Sequence, residues 1–162
     1  AASDVYKRQE EDGEWYLLST STTKAGANTN RDININIASS YINGKILQPN
    51  EKFSFWDTVG KCTYDKGYKD ATVYNNGKKT KGIGGGVCQV STTVNMAVKS
   101  AGIKTNARQH SLPVSYASRE DEATVSFGNI DFKFTNTTGK TIMLVMGAVD
   151  GSCTCEVWAK YE

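Results

Sequence analysis

The sequence predicts an α+β fold with a mostly antiparallel sheet and two main helices. Two segments in the first two thirds of the chain carry apolar residues at helical spacing. The last third carries short apolar segments separated by turn residues, which is typical of a strand meander. The length of 162 residues suits one domain with a single hydrophobic core.

The first helix is predicted in "ANTNRDININIASSYINGKIL", after a short strand in "EWYLLSTSTT" that runs into a polar loop. Apolar side chains recur in this segment at helical spacing: Ile33, Ile37, Tyr41 and Ile42. Asn28 or Thr29 could cap the helix, and Gly44 marks its end.

Two segments between the helices carry strand and turn signals. "PNEKFSFWDTVG" alternates Phe53 and Phe55 with polar neighbours, which predicts a strand. "YNNGKKTKG" is rich in Asn, Gly and Lys, which favours a polar turn or the turn of a hairpin.

The second helix is predicted over residues 89–101, with Gly102 as its stop. One face of this helix collects Val90, Val94, Ala97, Val98 and Ala101. The segments "EATVSFG", "IDFKFTN", "TIMLVMGAV" and "CTCEVWAKY" then read as strands, because "GN", "TTGK" and "DGS" between them are turn sequences.

Composition and charge argue against several classes of function. The chain is 38% hydrophobic and 22% charged, which is ordinary for a globular protein, and its net charge of +2 is too small to suggest nucleic-acid binding. No apolar run reaches the roughly 20 residues of a membrane span, so any membrane attachment would use a segment outside this chain. Residues 1–9, "AASDVYKRQ", lack an apolar period and are interpreted as non-native or disordered, which leaves residues 10–162 as one domain.

A glycine-rich loop stands in "KGIGGGVCQVSTT", residues 81–93. Phosphate-binding loops also place glycines before a helix, but the P-loop needs Gly-Lys-Ser or Gly-Lys-Thr at the helix start. This loop ends in Gly86-Val87-Cys88, and Val87 stands where the dinucleotide fingerprint needs its third glycine. Both failures argue against a nucleotide site.

Cys88 follows these glycines at a predicted helix N-terminus. Unpaired N–H groups and the helix dipole stabilise a thiolate there and lower its pKa. Glycines also let a substrate backbone approach, and their N–H groups could form an oxyanion hole. The alternative is a small buried residue at a helix start, which is a common place for a free cysteine.

His110, in "NARQHSLPVSY", is the only histidine of the chain. A thiolate nucleophile needs an imidazole to take its proton and return one to a leaving amine. One helix and a short connector separate His110 from Cys88, which lets the chain turn back toward the helix start. A third group should orient the imidazole, and the candidates are Asp131, Asp121 and Asn129, with Asp131 taken as the catalytic residue.

The motifs "GIGGGVCQVSTT", "HSLPVSY" and "ATVSFGNIDFKFTN" strongly resemble the VanW family. The upstream "LQPNEKFSFWDTVG" and "KGY" also match, so the resemblance covers roughly residues 15–147. It implies a domain of Gram-positive bacteria that faces the cell wall, often on a membrane-anchored protein. For some members of the family it implies L,D-transpeptidase activity in peptidoglycan cross-linking, with the motif cysteine as the nucleophile.

Carried over residue by residue, the resemblance makes Cys88 the nucleophile and His110 its partner. Motif positions without an assigned role are also occupied here, namely Gly84, Gly85, Gly86, Gln89, Ser91, Ser111 and Asp131. Cys62 departs from the family pattern, and "SREDEAT" leaves open which of Asp121 and Glu122 is the equivalent acid.

The other cysteines leave several states open. Cys153 and Cys155 lie two positions apart on a predicted strand and so point to one face, where a disulfide between them would be strained. A bond from Cys62 to one of them is easier to form, and free thiols also fit. A zinc site is the rival, but the paired Cys-x-x-Cys spacing is missing, so we expect neither metal nor cofactor.

These interpretations combine into a cysteine-dependent L,D-transpeptidase whose partners are peptidoglycan stem peptides. The N–H groups of Cys88 and of Gly84, Gly85 and Gly86 would hold the oxyanion. Arg108 or a lysine of "NNGKKTK" would meet the donor's carboxylate, with Ser111 also in the binding site. The alternatives are a non-catalytic peptidoglycan-binding module, with Trp56, Tyr68 and Tyr74 as a stacking surface, and a thiol peptidase that trims stem peptides.

Overall fold

A four-stranded antiparallel sheet and two helices that pack on it form the centre of the molecule. The computed structural model describes residues 14–26, 28–75 and 77–161, and the expectation for residues 1–9 lies outside them. The helices of the described ranges are α1 (Thr29–Ile42), α2 (Phe55–Val59) and α3 (Val87–Ser100). The strands are β1 (Trp15–Lys24), β2 (Lys45–Leu47), β3 (Lys52–Ser54), β4 (Asp70–Asn75), β5 (Lys78–Ile83), β6 (Lys133–Thr135), β7 (Ile142–Val149) and β8 (Ser152–Lys160).

The central sheet has the strand order β1-β8-β7-β2, and every neighbouring pair is antiparallel. Strands β7 and β8 form a hairpin whose turn residues, Asp150 and Gly151, both have positive φ. That backbone is the one the predicted "DGS" turn favours in a two-residue hairpin. Two smaller antiparallel pairs, β3–β6 and β4–β5, complete the strands, and the second is the hairpin predicted around "NNG".

The core lies between the central sheet and the helices α1 and α3. Helix α1 contributes Ile35, Ala38 and Ile42, and helix α3 contributes Val90, Val94, Ala97 and Val98, all of them buried. Each fully buried Val, Leu or Ile side chain stabilises the fold by about 1.5–3 kcal/mol. The α+β class, the single domain and the mostly antiparallel sheets predicted from the sequence are therefore confirmed.

Four local expectations were wrong. Of the four apolar residues that predicted α1, only Ile42 is buried, and Tyr41 is exposed. The strand at Phe53 does not continue through Phe55, because Ser54 accepts a hydrogen bond from the Asp57 N–H at 3.1 Å and so caps α2. The polar half of "EWYLLSTSTT" is strand rather than loop, since it pairs with β8 through to Lys24. "EATVSFG" is not a strand, and its region contains only the isolated bridge between Ser126 and Ile130.

None of the helices in the described ranges combines the length and the hydropathy needed to cross a bilayer.

Candidate active site around Cys88 and His110

The glycine loop leads directly into α3, and Cys88 is the second residue of that helix. Gly84 and Gly86 adopt positive φ, at 80° and 108°, which favours glycine at both positions. The Val87 N–H donates to Gly84 O at 3.3 Å, and the Gln89 N–H donates to Gly86 O at 3.0 Å. Between these two donors lies the backbone N–H of Cys88, which has no hydrogen-bond acceptor in the described part of the chain.

Close packing explains most of the glycines. A Cβ on Gly85 would lie 2.5–2.7 Å from backbone atoms of Ala71 and Thr72 in β4, and one on Gly84 would lie 2.9 Å from Cys62 Sγ. The Gly84 N–H is also used within the fold, because it donates to Lys69 O at 3.1 Å. Gly84 is therefore not free to bind an oxyanion, which corrects that part of the sequence-based expectation.

The Cys88 thiol is half-buried beside residues 124 and 125. The Val125 N–H donates to Sγ at 3.5 Å, and Thr124 Oγ1 lies 3.8 Å from Sγ. Burial raises the pKa of Cys88, but the interaction with the nearby His110 outweighs it, with smaller contributions from Val125 and Thr124. The net effect is a thiol pKa below its ordinary value, as an activated nucleophile requires.

His110 lies in the loop after α3, where a buried carboxylate holds it from two sides. Glu122 Oε1 is 2.8 Å from His110 Nδ1 and also accepts the His110 backbone N–H at 2.8 Å. The other ring nitrogen, Nε2, is buried and makes no hydrogen bond of ordinary geometry within the described ranges. Since Nδ1 is occupied by Glu122, Nε2 is the nitrogen left for the thiol of Cys88.

The electrostatics of His110 mirror those of Cys88. Burial lowers the pKa of His110, but hydrogen bonds and negative charges of Cys88 and Glu122 raise it above its ordinary value. Arg119 compensates the negative charge of the buried Glu122 carboxylate, because its Nη1 lies 3.3 and 3.4 Å from the two carboxylate oxygens. Together these shifts favour a thiolate beside an imidazolium.

Glu122 occupies the orienting position that we had expected for Asp131. The Asp131 carboxylate binds the start of α2 instead, where it accepts from Ser54 Oγ at 2.5 Å and from the Trp56 N–H at 3.0 Å. The candidate Asp121 is also turned away, because it accepts from Ser118 Oγ at 2.9 Å and forms an ion pair with Lys99 at 3.4 Å. Within the described ranges, Glu122 is the carboxylate that lies within hydrogen-bonding distance of the imidazole.

Three other predicted positions are exposed on the surface. Arg108 and Ser111 are exposed, and the carbonyl of Arg108 accepts the Thr124 N–H at 2.9 Å, which places its backbone beside the thiol's neighbours. Asn129 is exposed within the Ser126–Ile130 turn. Their roles in substrate binding or orientation stay predictions.

Two motif positions of α3 connect the helix to the rest of the site. Ser91 Oγ donates to Ala123 O at 2.5 Å and so joins α3 to the residue after Glu122. Gln89 is fully buried and accepts from Arg31 Nη1 at 2.5 Å. The sequence offered no role for Gln89 and no signal for Arg31, which lies 58 positions earlier on a polar helix.

The sequence model described as "VanW like protein" matches residues 30–158. The chain belongs to the VanW family. The matched range includes Cys88, His110 and Glu122, and it also includes Arg31. Membership of the VanW family thus confirms the resemblance inferred from the motifs.

Two curated proteins are similar to this VanW-family chain. "Uncharacterized protein YoaR" from Bacillus subtilis (strain 168) is 39% identical over 78% of the chain and 42% of its own length. "Vancomycin B-type resistance protein VanW" from Enterococcus faecalis (strain ATCC 700802 / V583) is 30% identical over 82% of the chain and 46% of its own length. The chain thus spans less than half the length of these relatives. No solved structure matches it.

The other cysteines of this VanW-family chain differ chemically from Cys88. All four cysteines lie in the described ranges and are free thiols. Burial raises the pKa of Cys62, of Cys153 and, most strongly, of Cys155. Burial therefore disfavours the thiolate form of these three cysteines, whereas Cys88 is the cysteine with a lowered pKa.

Proposed function

We propose that this chain is a cysteine-dependent L,D-transpeptidase that forms peptidoglycan cross-links through a thioester. The observation that carries the proposal is the buried Glu122, which holds His110 by both Nδ1 and the backbone N–H and leaves Nε2 for Cys88. A thiol, an imidazole and a carboxylate in this order are the parts that acyl transfer by a cysteine nucleophile needs.

The first half of the proposed reaction acylates Cys88. The thiolate attacks the carbonyl carbon that precedes the terminal D-alanine of a stem tetrapeptide, and a C–S bond forms. The resulting oxyanion is met by the N–H of Cys88, with Gly86 nearby on the partly exposed side of the loop. The imidazolium of His110 gives its proton to the departing amine as the C–N bond breaks, and D-alanine leaves.

The second half transfers the acyl group to an amine. A side-chain amine of a second stem peptide attacks the thioester, and neutral His110 takes the proton that this amine loses. The C–S bond breaks, an amide cross-link forms, and the thiolate returns beside the imidazolium. Glu122 keeps Nε2 directed at the reacting atoms in both halves, and its charge stabilises each imidazolium.

The family also supports a site of action outside the cytoplasm. The enterococcal relative is named for vancomycin resistance, which fits a protein that acts on the cell envelope. We place the proposed activity at the cell wall, on a domain that is free in the wall or attached to the membrane through another part of the protein.

Intact mass spectrometry after incubation with a stem tetrapeptide tests this proposal. Wild-type protein should gain an acyl adduct on Cys88 with loss of alanine, and it should form cross-linked dimers when an amine acceptor is present. Cys88→Ala should lose both products while keeping its fold, because the sulfur supplies the covalent chemistry. Cys62→Ala is the matched control and should retain both.

The outcomes separate the competing functions. An adduct that is released only to water would indicate a thiol peptidase rather than a transferase. No adduct, with equal binding of wild type and Cys88→Ala to sacculi, would favour the binding module. One of the stacking residues expected for that module, Tyr68, is buried in the core and so is not accessible to a ligand.

A further inference from the structure

Arg31 reaches from the first turn of α1 to the loop that precedes Cys88. A Cβ on Gly86 would lie 2.7 Å from Arg31 Cγ, so the arginine stem runs against this glycine, two positions before the thiol. The glycine at residue 86 therefore makes room for an arginine side chain next to the candidate active site.

Gln89 fixes the guanidinium group of Arg31. The Gln89 amide donates from Nε2 to Thr23 Oγ1 at 3.0 Å and to Gly151 O at 3.1 Å. Because both amide protons are used, Oε1 must face the other way, where it accepts from Arg31 Nη1 at 2.5 Å. A fully buried amide with a determined orientation thus holds one N–H of the guanidinium in place.

Within the described part of the chain, the other N–H groups of the Arg31 guanidinium make no hydrogen bond. A guanidinium has five N–H donors, and the bond to Gln89 uses one of them. Within the described ranges no carboxylate lies within ion-pair distance of Arg31. The side chain is half-buried, so its charge is screened less by solvent than that of an exposed cation.

Tyr116 connects Arg31 with the catalytic pair. The Arg31 Cζ atom lies 5.6 Å from the centre of the Tyr116 ring, and that ring lies 6.4 Å from the imidazole of His110. Burial, which is the largest cause, and the negative charge of Cys88 raise the pKa of Tyr116, whereas the positive charge of Arg31 lowers it. One phenol therefore lies near both the imidazole of His110 and the guanidinium of Arg31.

We infer that Arg31 is the binding site for the terminal carboxylate of the donor peptide. The inference rests on the proposed function and specifies the substrate, a peptide with a free carboxylate one residue beyond the attacked carbonyl. A held guanidinium with free donors suits a planar anion, which it can bind through two parallel N–H···O bonds. Arg31 replaces the exposed Arg108 in this role.

Binding of two matched peptides to the Cys88→Ala protein tests the carboxylate site without chemistry. The peptides are a stem tetrapeptide that ends in D-alanine and the same peptide with a C-terminal amide, and calorimetry gives both Kd values. We expect the acid to bind about 10- to 100-fold more tightly than the amide, as for hydrogen bonds to a charged group. Equal affinity, including no measurable binding of either, overturns the inference.

Substitutions assign the preference to a residue. Arg31→Gln, made in the Cys88→Ala background, should abolish the preference for the acid, and Arg31→Lys should keep part of it because the charge remains. Arg108→Gln makes the same change at the competing exposed arginine. If Arg108→Gln abolishes the preference and Arg31→Gln does not, the carboxylate binds elsewhere and the inference is wrong.

The same peptides distinguish this inference from the proposed function. If wild-type protein forms no adduct but still prefers the acid through Arg31, the transpeptidase proposal fails and the carboxylate site stands. If the acid and the amide acylate Cys88 at equal rates, the acyl-transfer chemistry stands and the carboxylate site fails.

Discussion

At the scale of single residues, burial opposes charge in both Cys88 and His110. Burial disfavours the thiolate and the imidazolium, yet each charged group stabilises the other, and Glu122 adds to the stabilisation of the imidazolium. These shifts therefore favour the charged form that a cysteine nucleophile uses, and this preference depends on both partners being present.

The thiol chemistry gives a direct prediction. Iodoacetamide should alkylate Cys88 faster than Cys62, Cys153 or Cys155 near neutral pH, because the pKa of Cys88 is lowered whereas burial raises the pKa of the others. Peptide mass mapping over time measures the four rates. His110→Ala should slow the alkylation of Cys88, and equal rates at all four thiols would contradict an activated nucleophile.

Glu122 should control the alkaline limb of the pH–rate profile. In wild type the thiolate–imidazolium pair exists above the lowered pKa of Cys88 and below the raised pKa of His110. Glu122→Gln removes a negative charge that raises the pKa of His110, so the alkaline limb of kcat/KM should move to lower pH. The rate should also fall by about 10²- to 10⁴-fold.

The exposed Glu120, in the same turn, provides the matched control. Glu120→Gln should leave both limbs in place, since its side chain does not contact His110 in the described structure. An unchanged alkaline limb in Glu122→Gln would show that Glu122 does not act on the imidazole. Thermal melts of both variants separate this effect from unfolding.

The sequence was informative for the nucleophile and the histidine and less so for the groups that hold them. Cys88 was marked by the glycines before it, and His110 is the only histidine of the chain. Glu122 stands in "SREDEAT", where three acids are adjacent and no local pattern tells which one turns inward. The position of Arg31 depends on the contact between α1 and α3, which periodicity does not describe.

At the scale of elements, apolar spacing predicted α3 from its buried face, whereas it predicted the position of α1 but not the face that α1 buries, which includes Ile35 and Ala38. Side-chain caps were harder to foresee, as α2 begins at Phe55 only because Ser54 and Asp131 satisfy its first N–H groups. The Ser- and Thr-rich half of β1 was missed because two of its hydroxyls, those of Ser19 and Thr23, are buried against α3. Ser19 Oγ donates to Ala97 O at 2.6 Å, and such pairing is invisible in composition.

The glycine loop should be intolerant of a methyl group at residue 85. Gly85→Ala should lower the free energy of unfolding by about 1–3 kcal/mol, because the new Cβ would overlap backbone atoms of β4 that cannot move aside. Urea unfolding measures the change. Gly26→Ala is the control, since among the described residues no atom beyond its chain neighbours lies within 4 Å of its added Cβ, and equal stability of the two variants would contradict the packing argument.

At the scale of the whole molecule, the site joins two separate parts of the chain. Cys88 lies on α3, whereas His110 and Glu122 lie on the connection between α3 and β6, residues 101–132. Side chains of α3 hold this connection in place. The Thr92 hydroxyl accepts the Ala123 N–H at 3.0 Å, and Asn95 Nδ2 donates to Asp121 O at 2.9 Å.

Thr92→Val should loosen the connection and leave the helices intact. The Ala123 N–H would lose its acceptor, which costs about 1–3 kcal/mol for a buried donor. We expect faster hydrogen exchange in residues 119–125 and a lower kcat, with unchanged helical circular dichroism. Thr22→Val changes an exposed hydroxyl on β1 and should alter neither; unchanged exchange in Thr92→Val would show that other contacts hold the connection.

The pairing of β1 with β8 brings the two ends of the described fold together. Trp15 pairs with Lys160, the Tyr161 N–H donates to Glu14 O at 2.8 Å, and the rings of Tyr16 and Tyr161 lie 4.7 Å apart. Since neighbouring strands are separated by about 4.8 Å, a linker of a few glycines would join residues 14 and 161 into a ring. The fold is thus suited to circular permutation, with new termini opened between the exposed Gly77 and Lys78 and the order of its elements rearranged without moving any of them.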